Sequence, residues 1–509
     1  MAIRRGGARR GRLAALLALL GALLALATAA TAAGRGAAGR RTRPASATAT
    51  VSVDRTHPGT TVPQDFLGLS FELSSLPQMA RYADRGNLVT LLRSLGPGVL
   101  RFGGVSADTR MAWTDNRTPR PSWASGVVDA QDLRQLGALA AASGWHVVLT
   151  LGLVHYEPQA AAREAAAAKA ALGEWLEGIE LGNEPNAWAS HGFRAEPWTF
   201  VQYDAEVSAY RGAIEAAAPG IPLLGPDVSG SSAYESWGLG EAIAQRPVLL
   251  TGHHYPLGCE QIPAPSISRL LSAPIRRKEV GSLRRYMSTA LASNTPFRLD
   301  ETNTVSCGGQ AGISNTFASA LWAADYLSRA MSLGVAGVNL HGNVANCKGY
   351  SPICAPGPEA LSTGALGAQP EWYALLLLKA LIGSRPLATT VIRSPRQSNI
   401  QAAGFLTADD GLRFVIVDDD PPGKRKVAVR LRIGERSSRA SVLSLSAPSI
   451  TALSGVLLGG AAVAPDGTWR PAPLPRVPSR AGVATVELAP GSAALVSVSG
   501  AGGAGGAGG

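Results

Sequence analysis

The sequence predicts an α/β protein: a (β/α)8 TIM barrel followed by a C-terminal all-β sandwich domain. Three observations predict it. Strand-like apolar runs alternate with helical segments eight times across about 320 residues, the count of such a barrel. The Gly-rich phosphate fingerprint that a doubly wound sheet typically carries after an early strand is absent. From about residue 386 the texture changes to short alternating strands broken by Gly, Pro, Asp and Ser, which reads as a sandwich.

Taken in order, residues 1–33 read as a signal peptide. A positive MAIRRGGARRGR is followed by the apolar LAALLALLGALLALATAATAA, with A-x-A cleavage sites at Ala30-Thr31-Ala32 or Ala27-Thr28-Ala29. The apolar stretch is short for a membrane span and no second run of spanning length follows, so no stable membrane insertion is expected. The expected location is secreted or extracytoplasmic. Residues 34–47 (GRGAAGRRTRPASA) read as a flexible basic linker. Residues 48–60 open with the alternating TATVSVDR and are expected to give an N-terminal strand that joins the later β domain.

The barrel is expected over 61–385. Its strands are predicted at Phe66–Glu72, Gly98–Phe102, Val147–Leu153, Gly178–Glu184, Pro222–Val228, Val248–Tyr255, Phe297–Asn303 and Val335–Asn343. Helices are expected at 130–143, 197–217, 314–333 and 371–383, where the spacing or composition is helical. The sandwich is expected over 386–499, with strands in RFVIVDDD, KVAVRLRIG, ASVLSLSA and VATVELAPGSAALVSVSG. The last ten residues, 500–509 (GAGGAGGAGG), cannot bury a core and read as a disordered tail.

Composition narrows the function. The chain has 509 residues, 46% of them hydrophobic, too many for a disordered protein. Its net charge of +11 looks like a nucleic-acid footprint until it is located. Nine arginines lie within residues 1–43, before the first acidic residue, Asp54, and without them the net charge is +2. A folded body with so little net charge offers no dense basic patch, so no nucleic-acid partner is expected. Four cysteines, Cys259, Cys307, Cys347 and Cys354, stand in a chain read as exported; an even count there favours two disulfides, with three pairings open. No close C-x-x-C pair exists, so no metal site is expected.

In a barrel of this type the reacting groups sit at the C-terminal ends of strands. Two carboxylates stand there: Glu184 in IELGNEPNAW, ending strand four, and Glu301 in FRLDETNTVSCGG, ending strand seven. Facing each other across the barrel mouth, such a pair suits glycosidic cleavage, retaining at roughly 5–5.5 Å and inverting at a wider gap. That chemistry needs unequal partners, one a proton donor and one an ionised nucleophile. Strand alternation gives Glu180, Gly182 and Glu184 one parity and points Asp300 away from Glu301. Glu180 is therefore expected to face the barrel interior and to need a partner. Arg101, at the end of strand two, is a candidate partner, or alternatively the group that holds Glu301 ionised.

These motifs resemble clan A glycoside hydrolases, which carry Asn-Glu-Pro on strand four and a Glu on strand seven. More narrowly they resemble glycoside hydrolase family 79, the bacterial β-glucuronidases and heparanases, in GLSFEL around Glu72, LRFGGVSAD, IELGNEPN, GHHYP around Tyr255 and DETNTVSCGG. The resemblance spans roughly 48–500 and implies a retaining double displacement, with Glu184 as acid/base and Glu301 as nucleophile. It implies that Asn183 binds the sugar 2-hydroxyl and that Glu72, Asp108 and Tyr255 contact sugar hydroxyls or the nucleophile. Trp188 is a candidate for stacking on a sugar ring.

For the uronate carboxyl, the family uses backbone amides after the nucleophile and nearby tyrosines. Gly308 supplies such an amide, Tyr350 a phenol and Lys348 a charge. Two departures stand out: Ser306 replaces a hoped-for aromatic, and Asp300 precedes the nucleophile where a small residue is common. Three cysteines follow strands six, seven and eight, so Cys259–Cys307 and Cys347–Cys354 are the expected bridges, with Cys307–Cys347 the competing pairing. The expected substrate is a carbohydrate, a β-glucuronide or related glycoside, and no cofactor is implied because two carboxylates suffice. The alternatives are another clan A activity (β-xylosidase, arabinofuranosidase or β-glucosidase) or a carbohydrate-binding protein without turnover.

Overall fold

The computed structural model describes residues 47–394, 398–421, 423–434 and 439–499. The expected signal peptide, almost all of the expected linker and the Gly/Ala tail lie outside these residues.

Eight parallel strands form the barrel: β1 Leu67–Glu72, β2 Gly98–Gly103, β3 Trp145–Leu151, β4 Leu176–Leu181, β5 Leu224–Ser229, β6 Leu249–His254, β7 Phe297–Thr302 and β8 Gly337–Gly342. Their order is β4-β3-β2-β1-β8-β7-β6-β5. The Ile179 N–H donates to the Pro222 carbonyl at 3.0 Å, and Ile179 bridges Leu223, which nearly closes the ring between β4 and β5. Most strand residues are buried on both faces, which is why the strands read as apolar runs rather than as alternations.

The helices start and stop on local signals. Ala130–Ser143 opens on a capping box, Asp129 accepting from the Gln131 and Asp132 N–H groups, and ends at Gly144 in the left-handed region. Expected over 197–217, the fourth-strand helix begins at Phe200 because Thr199 and Gln202 cap it reciprocally. Phe317–Ser332 is buried on nearly every side, wedged between the barrel and the β domain. There the Phe317 and Ala318 N–H groups donate to the Ala452 and Ile450 carbonyls of that domain, at 2.8 and 2.9 Å.

The β domain is all-β. Its sheet runs continuously, because Ser492–Val498 pairs with both Leu412–Asp418 and Arg439–Ser446, so the two layers of the sandwich are joined at their edge. The strand Ala47–Asp54 lies inside this sheet, antiparallel to Arg385–Ser394 and parallel to Val427–Arg432. Ala49 and Val51 are fully buried there with Val429, Leu431 and Phe414, so the start of the described chain is stitched into its last domain. No helix among the described residues is long and apolar enough to cross a membrane.

Candidate active site

Arg101, on β2, has no exposed surface and organises the barrel mouth. Its guanidinium lies 2.9 Å from Glu180 on β4, 2.6 Å from Asp227 on β5, and 3.0 and 2.9 Å from Asp300 and Glu301 on β7. A buried guanidinium needs such partners, since removing an ion from water costs several kcal/mol. The glycines that follow it make room. A Cβ on Gly103 would lie 2.8 Å from the Arg101 guanidinium carbon and 2.3 Å from Thr150 Oγ1. One on Gly104, whose φ is +71°, would meet the Glu72 carboxyl at 2.6 Å. Glu180 also accepts from Thr150 Oγ1 at 2.8 Å, so both expected uses of Arg101, pairing Glu180 and holding Glu301, are present together.

Glu301 sits under a canopy of donors. Arg101 donates to one oxygen and the Tyr255 hydroxyl to the other, at 2.8 Å, while His341 Nδ1 lies 3.6 Å away. Burial alone would raise its pKa, but His341, His253 and Arg101, with the Tyr255 hydrogen bond, bring it down to about 2. Glu184 is placed differently. Strand β4 ends at Leu181, and Gly182 and Glu184 both take left-handed backbone (φ +79° and +50°), so a turn rather than strand alternation presents this side chain. Its N–H donates to the Asp227 carbonyl at 3.0 Å. The Glu184 side chain is 23% exposed against 9% for Glu301, which gives the two carboxyls unequal surroundings.

His253, from β6, joins them. Its Nδ1 is 2.9 Å from Glu184 and its Nε2 2.6 Å from Asp227. Burial lowers the pKa of this imidazole, yet Asp227 and Glu301 raise it well above its ordinary value, so the charged ring donates from both nitrogens. An oxygen of Glu184, a nitrogen of His253 and an oxygen of Glu301 all lie within 4.8 Å of one another. Asp227, His253 and Asp300 form a second such group. Arg101 contacts Asp227, Asp300 and Glu301 directly, and His253 is engaged by carboxylates on both sides.

The alternation expected at β7 does not hold. The register shifts between Arg298 and Glu301 against β6, and between Leu299 and Thr302 against β8, so Asp300 and Glu301 both reach Arg101. Asp300 also accepts from the Gly252 N–H at 2.8 Å. Burial and the carboxylates of Asp227 and Glu180 raise its pKa well above the usual range, against the pull of Arg101. The residue that departs from the family pattern thus acts as a buried wall of the cluster.

Around this centre the other expected residues divide. Asn183 accepts from Arg101 through Oδ1 at 3.1 Å. Tyr255 and Tyr350 meet hydroxyl to hydroxyl at 3.2 Å, and the Gly308 N–H donates to the Tyr350 hydroxyl, also at 3.2 Å. Glu72 accepts from the Ser106 N–H at 2.9 Å. Asp108 is 2% exposed, and its two oxygens accept the backbone N–H groups of Leu153, Val154 and Asn183. It therefore bears on the mouth through the position of Asn183. Trp188 does not offer a stacking face: it is 1% exposed, packed along Gly182 and Trp198 with Arg194 over its ring. Lys348 is exposed.

Both expected disulfides are present, Cys259–Cys307 tying the loops after β6 and β7, and Cys347–Cys354 closing the loop after β8. A cleft of about 1060 Å³ borders the mouth, lined in part by His253, Tyr255, Ser231, Gln261 and the Cys259–Cys307 bridge. Sequence reasoning missed Asp227, His253 and His341. Each is a charged or ionisable side chain inside a parallel barrel strand, where an unpartnered polar group is costly, and that signal was available.

No family model matches the sequence, and no curated protein matches it. Solved structures do match in fold. A 4-O-α-L-rhamnosyl-β-D-glucuronidase from Fusarium oxysporum 12S aligns with a TM-score of 0.70 at 19% identity, over 88% of this chain and 99% of that one. A GH51 arabinofuranosidase from Xanthomonas axonopodis pv. citri aligns at 0.63 and 12%, over 89% and 100%. The catalytic domain of GH30 xylanase C from Talaromyces cellulolyticus aligns at 0.54 and 13%, over 88% and 100%. At these identities the likeness is one of fold: this chain shares the architecture of glycoside hydrolases, a barrel joined to a β domain.

Proposed function

We propose that the protein is a secreted retaining β-glycosidase acting on β-linked glucuronides, of the family 79 kind, with Glu301 as nucleophile and Glu184 as acid/base. One observation carries the reading: two carboxyl groups with oxygens within 4.8 Å, one buried and held ionised, the other opening toward solvent. That closeness lies nearer the roughly 5–5.5 Å of retaining enzymes than the wider gap of inverting ones. In the first step Glu301 forms a bond to the anomeric carbon as the glycosidic C–O bond breaks, and Glu184 gives its proton to the departing oxygen. In the second, water attacks the same carbon, Glu184 takes its proton, and the ester to Glu301 is released. Asn183, with its oxygen fixed on Arg101, keeps its amide N–H groups for the 2-hydroxyl.

The uronate reading draws on three supports. Tyr350 and the Gly308 amide stand together beside Tyr255, Lys348 lies in the same disulfide-closed loop as Tyr350, and one structural neighbour is named a glucuronidase. Secretion draws on the N-terminal sequence and the two disulfides. The fold likeness to arabinofuranosidases favours a second reading, cleavage of an arabinofuranoside.

A panel of aryl α- and β-glycosides, including the β-glucuronide, tests all of this on wild type and Glu301→Gln. The expected result is turnover of the β-glucuronide with retained configuration in the first-formed product, lost in the variant. Inverted product or full activity of Glu301→Gln would overturn the roles. Preference for the arabinofuranoside would overturn the substrate and leave the roles standing.

A further inference from the structure

A second cavity, of about 800 Å³, opens along helix Ala273–Ser293, helix Phe317–Ser332 and the β domain, and no residue of the carboxylate cluster lines it. Among the described residues five arginines line it, Arg276, Arg277, Arg284, Arg329 and Arg393, against one carboxylate, Asp420. Part of that charge is balanced. Arg276 pairs with Asp325 at 2.7 Å and Asp419 at 2.5 Å, Arg329 shares Asp325 at 2.8 Å, and Asp420 is already paired with Lys424.

The rest is not balanced. Among the described residues Arg393 donates only to neutral acceptors, the Ile400 carbonyl at 2.7 Å and Gln401 Oε1 at 3.2 Å. Burial, and then the like charges of Arg276 and Arg329, lower its pKa. Arg277 and Arg284 stand exposed at the rim, with no carboxylate within 4.0 Å among the described residues. On the same wall Ser398 is 8% exposed and its hydroxyl has no hydrogen-bond partner among the described residues. Like charges gathered around one partly enclosed space repel, and an anion inside it relieves the repulsion. Guanidinium forks match carboxylate and sulfate oxygens two bonds at a time. Among the described residues the lining has no aromatic ring, so a nucleotide base would find nothing to stack on; the Asn399 and Gln401 amides are already engaged with Arg276, Arg329, Arg393 and the Leu271 carbonyl, which leaves the Ser398 hydroxyl to meet a sugar hydroxyl.

We propose that this cavity binds a short acidic oligosaccharide, one whose sugars carry carboxylate or sulfate groups, at a site separate from the catalytic mouth. The proposal does not depend on turnover at Glu184 and Glu301. Its test uses the full chain carrying Glu301→Gln, titrated calorimetrically with a tetramer of glucuronic acid, with the same tetramer after reduction of its carboxyls to alcohols, and with inorganic sulfate at equal ionic strength. The acidic tetramer binds, and the exposed pair Arg277→Ser and Arg284→Ser weakens that binding about ten-fold or more. Binding at the catalytic mouth is told apart by its indifference to those two substitutions. In a wild-type background the same pair leaves hydrolysis of a small aryl glycoside unchanged. Unchanged affinity in the double variant, equal binding of the reduced tetramer, or displacement by sulfate at matching concentration (an adventitious ion only) overturns the proposal.

Discussion

The ionised state of Glu301 has a consequence that does not require a substrate. Its pKa is brought from an ordinary 4.5 to about 2 in the folded protein. A shift of this size corresponds to about 3 kcal/mol of folding stability. Because the folded value is depressed, this contribution is fully present above about pH 4.5 and is lost as pH falls toward 2. Glu301→Gln removes the titrating group, and with it this part of the acid limb. The assay is urea unfolding of both proteins at intervals from pH 6 to pH 3. The wild type loses stability more steeply than the variant over that range, and the two curves converge toward the acid end. Asp227, which Arg101 and His253 also hold low despite its burial, gives both proteins a shared residual slope, so the difference between the curves is the measurement. Parallel profiles would show that Glu301 titrates normally and that the donors around it do not set its charge.

Buried acids away from the mouth predict the opposite slope. Glu164 is 6% exposed and burial pushes its pKa up to about 8, so its contribution favours the fold at low pH and is lost as pH rises from about 4.5 toward 8. Glu164→Gln should flatten the stability profile by about 3 kcal/mol between pH 5 and 7.5, and an unchanged slope in thermal or urea melts counts against it. Replacing Cys259 and Cys307 by serine should cost about 4 kcal/mol, and replacing Cys347 and Cys354 about 2.5, because the bridges span 48 and 7 positions. Equal losses in denaturant melts would contradict that order. Asp108→Asn turns an amide toward one of three backbone N–H groups, and should cost about 1–3 kcal/mol and lower kcat/KM on an aryl glycoside as Asn183 shifts. A variant with both quantities intact would show that Asp108 does not position Asn183.

The barrel was legible because its strands are apolar runs of the right length separated by capped helices, and such elements depend mostly on local composition. Boundaries moved by a few residues where capping decided them, as at Thr199. Within the site, legibility followed the same line. Glu180 was readable as an inward residue because β4 is regular where it stands, and Arg101 as its partner because a buried carboxylate requires one. Trp188 was not readable, since the same residue serves as a sugar platform or as packing, and only its neighbours Gly182, Trp198 and Arg194 decide.

Asp300 shows where alternation fails and why. A period of two assumes an unbroken ladder, and the ladder of β7 is broken on both sides next to this residue. An irregularity there brings two consecutive carboxyls onto one guanidinium, which a regular strand cannot do. The buried Arg101 answers four carboxyls, from three strands, and with His253 beside it the cluster still holds more acids than cations. The excess falls on Asp300, whose pKa is the one driven up, while Asp227 and Glu301 are driven down. Burial beside Asp227 and Glu180 weighs against the charged form of this one carboxyl, while Arg101 and His253 favour the charged forms of Asp227 and Glu301, and the broken strand is what places Asp300 beside Glu301.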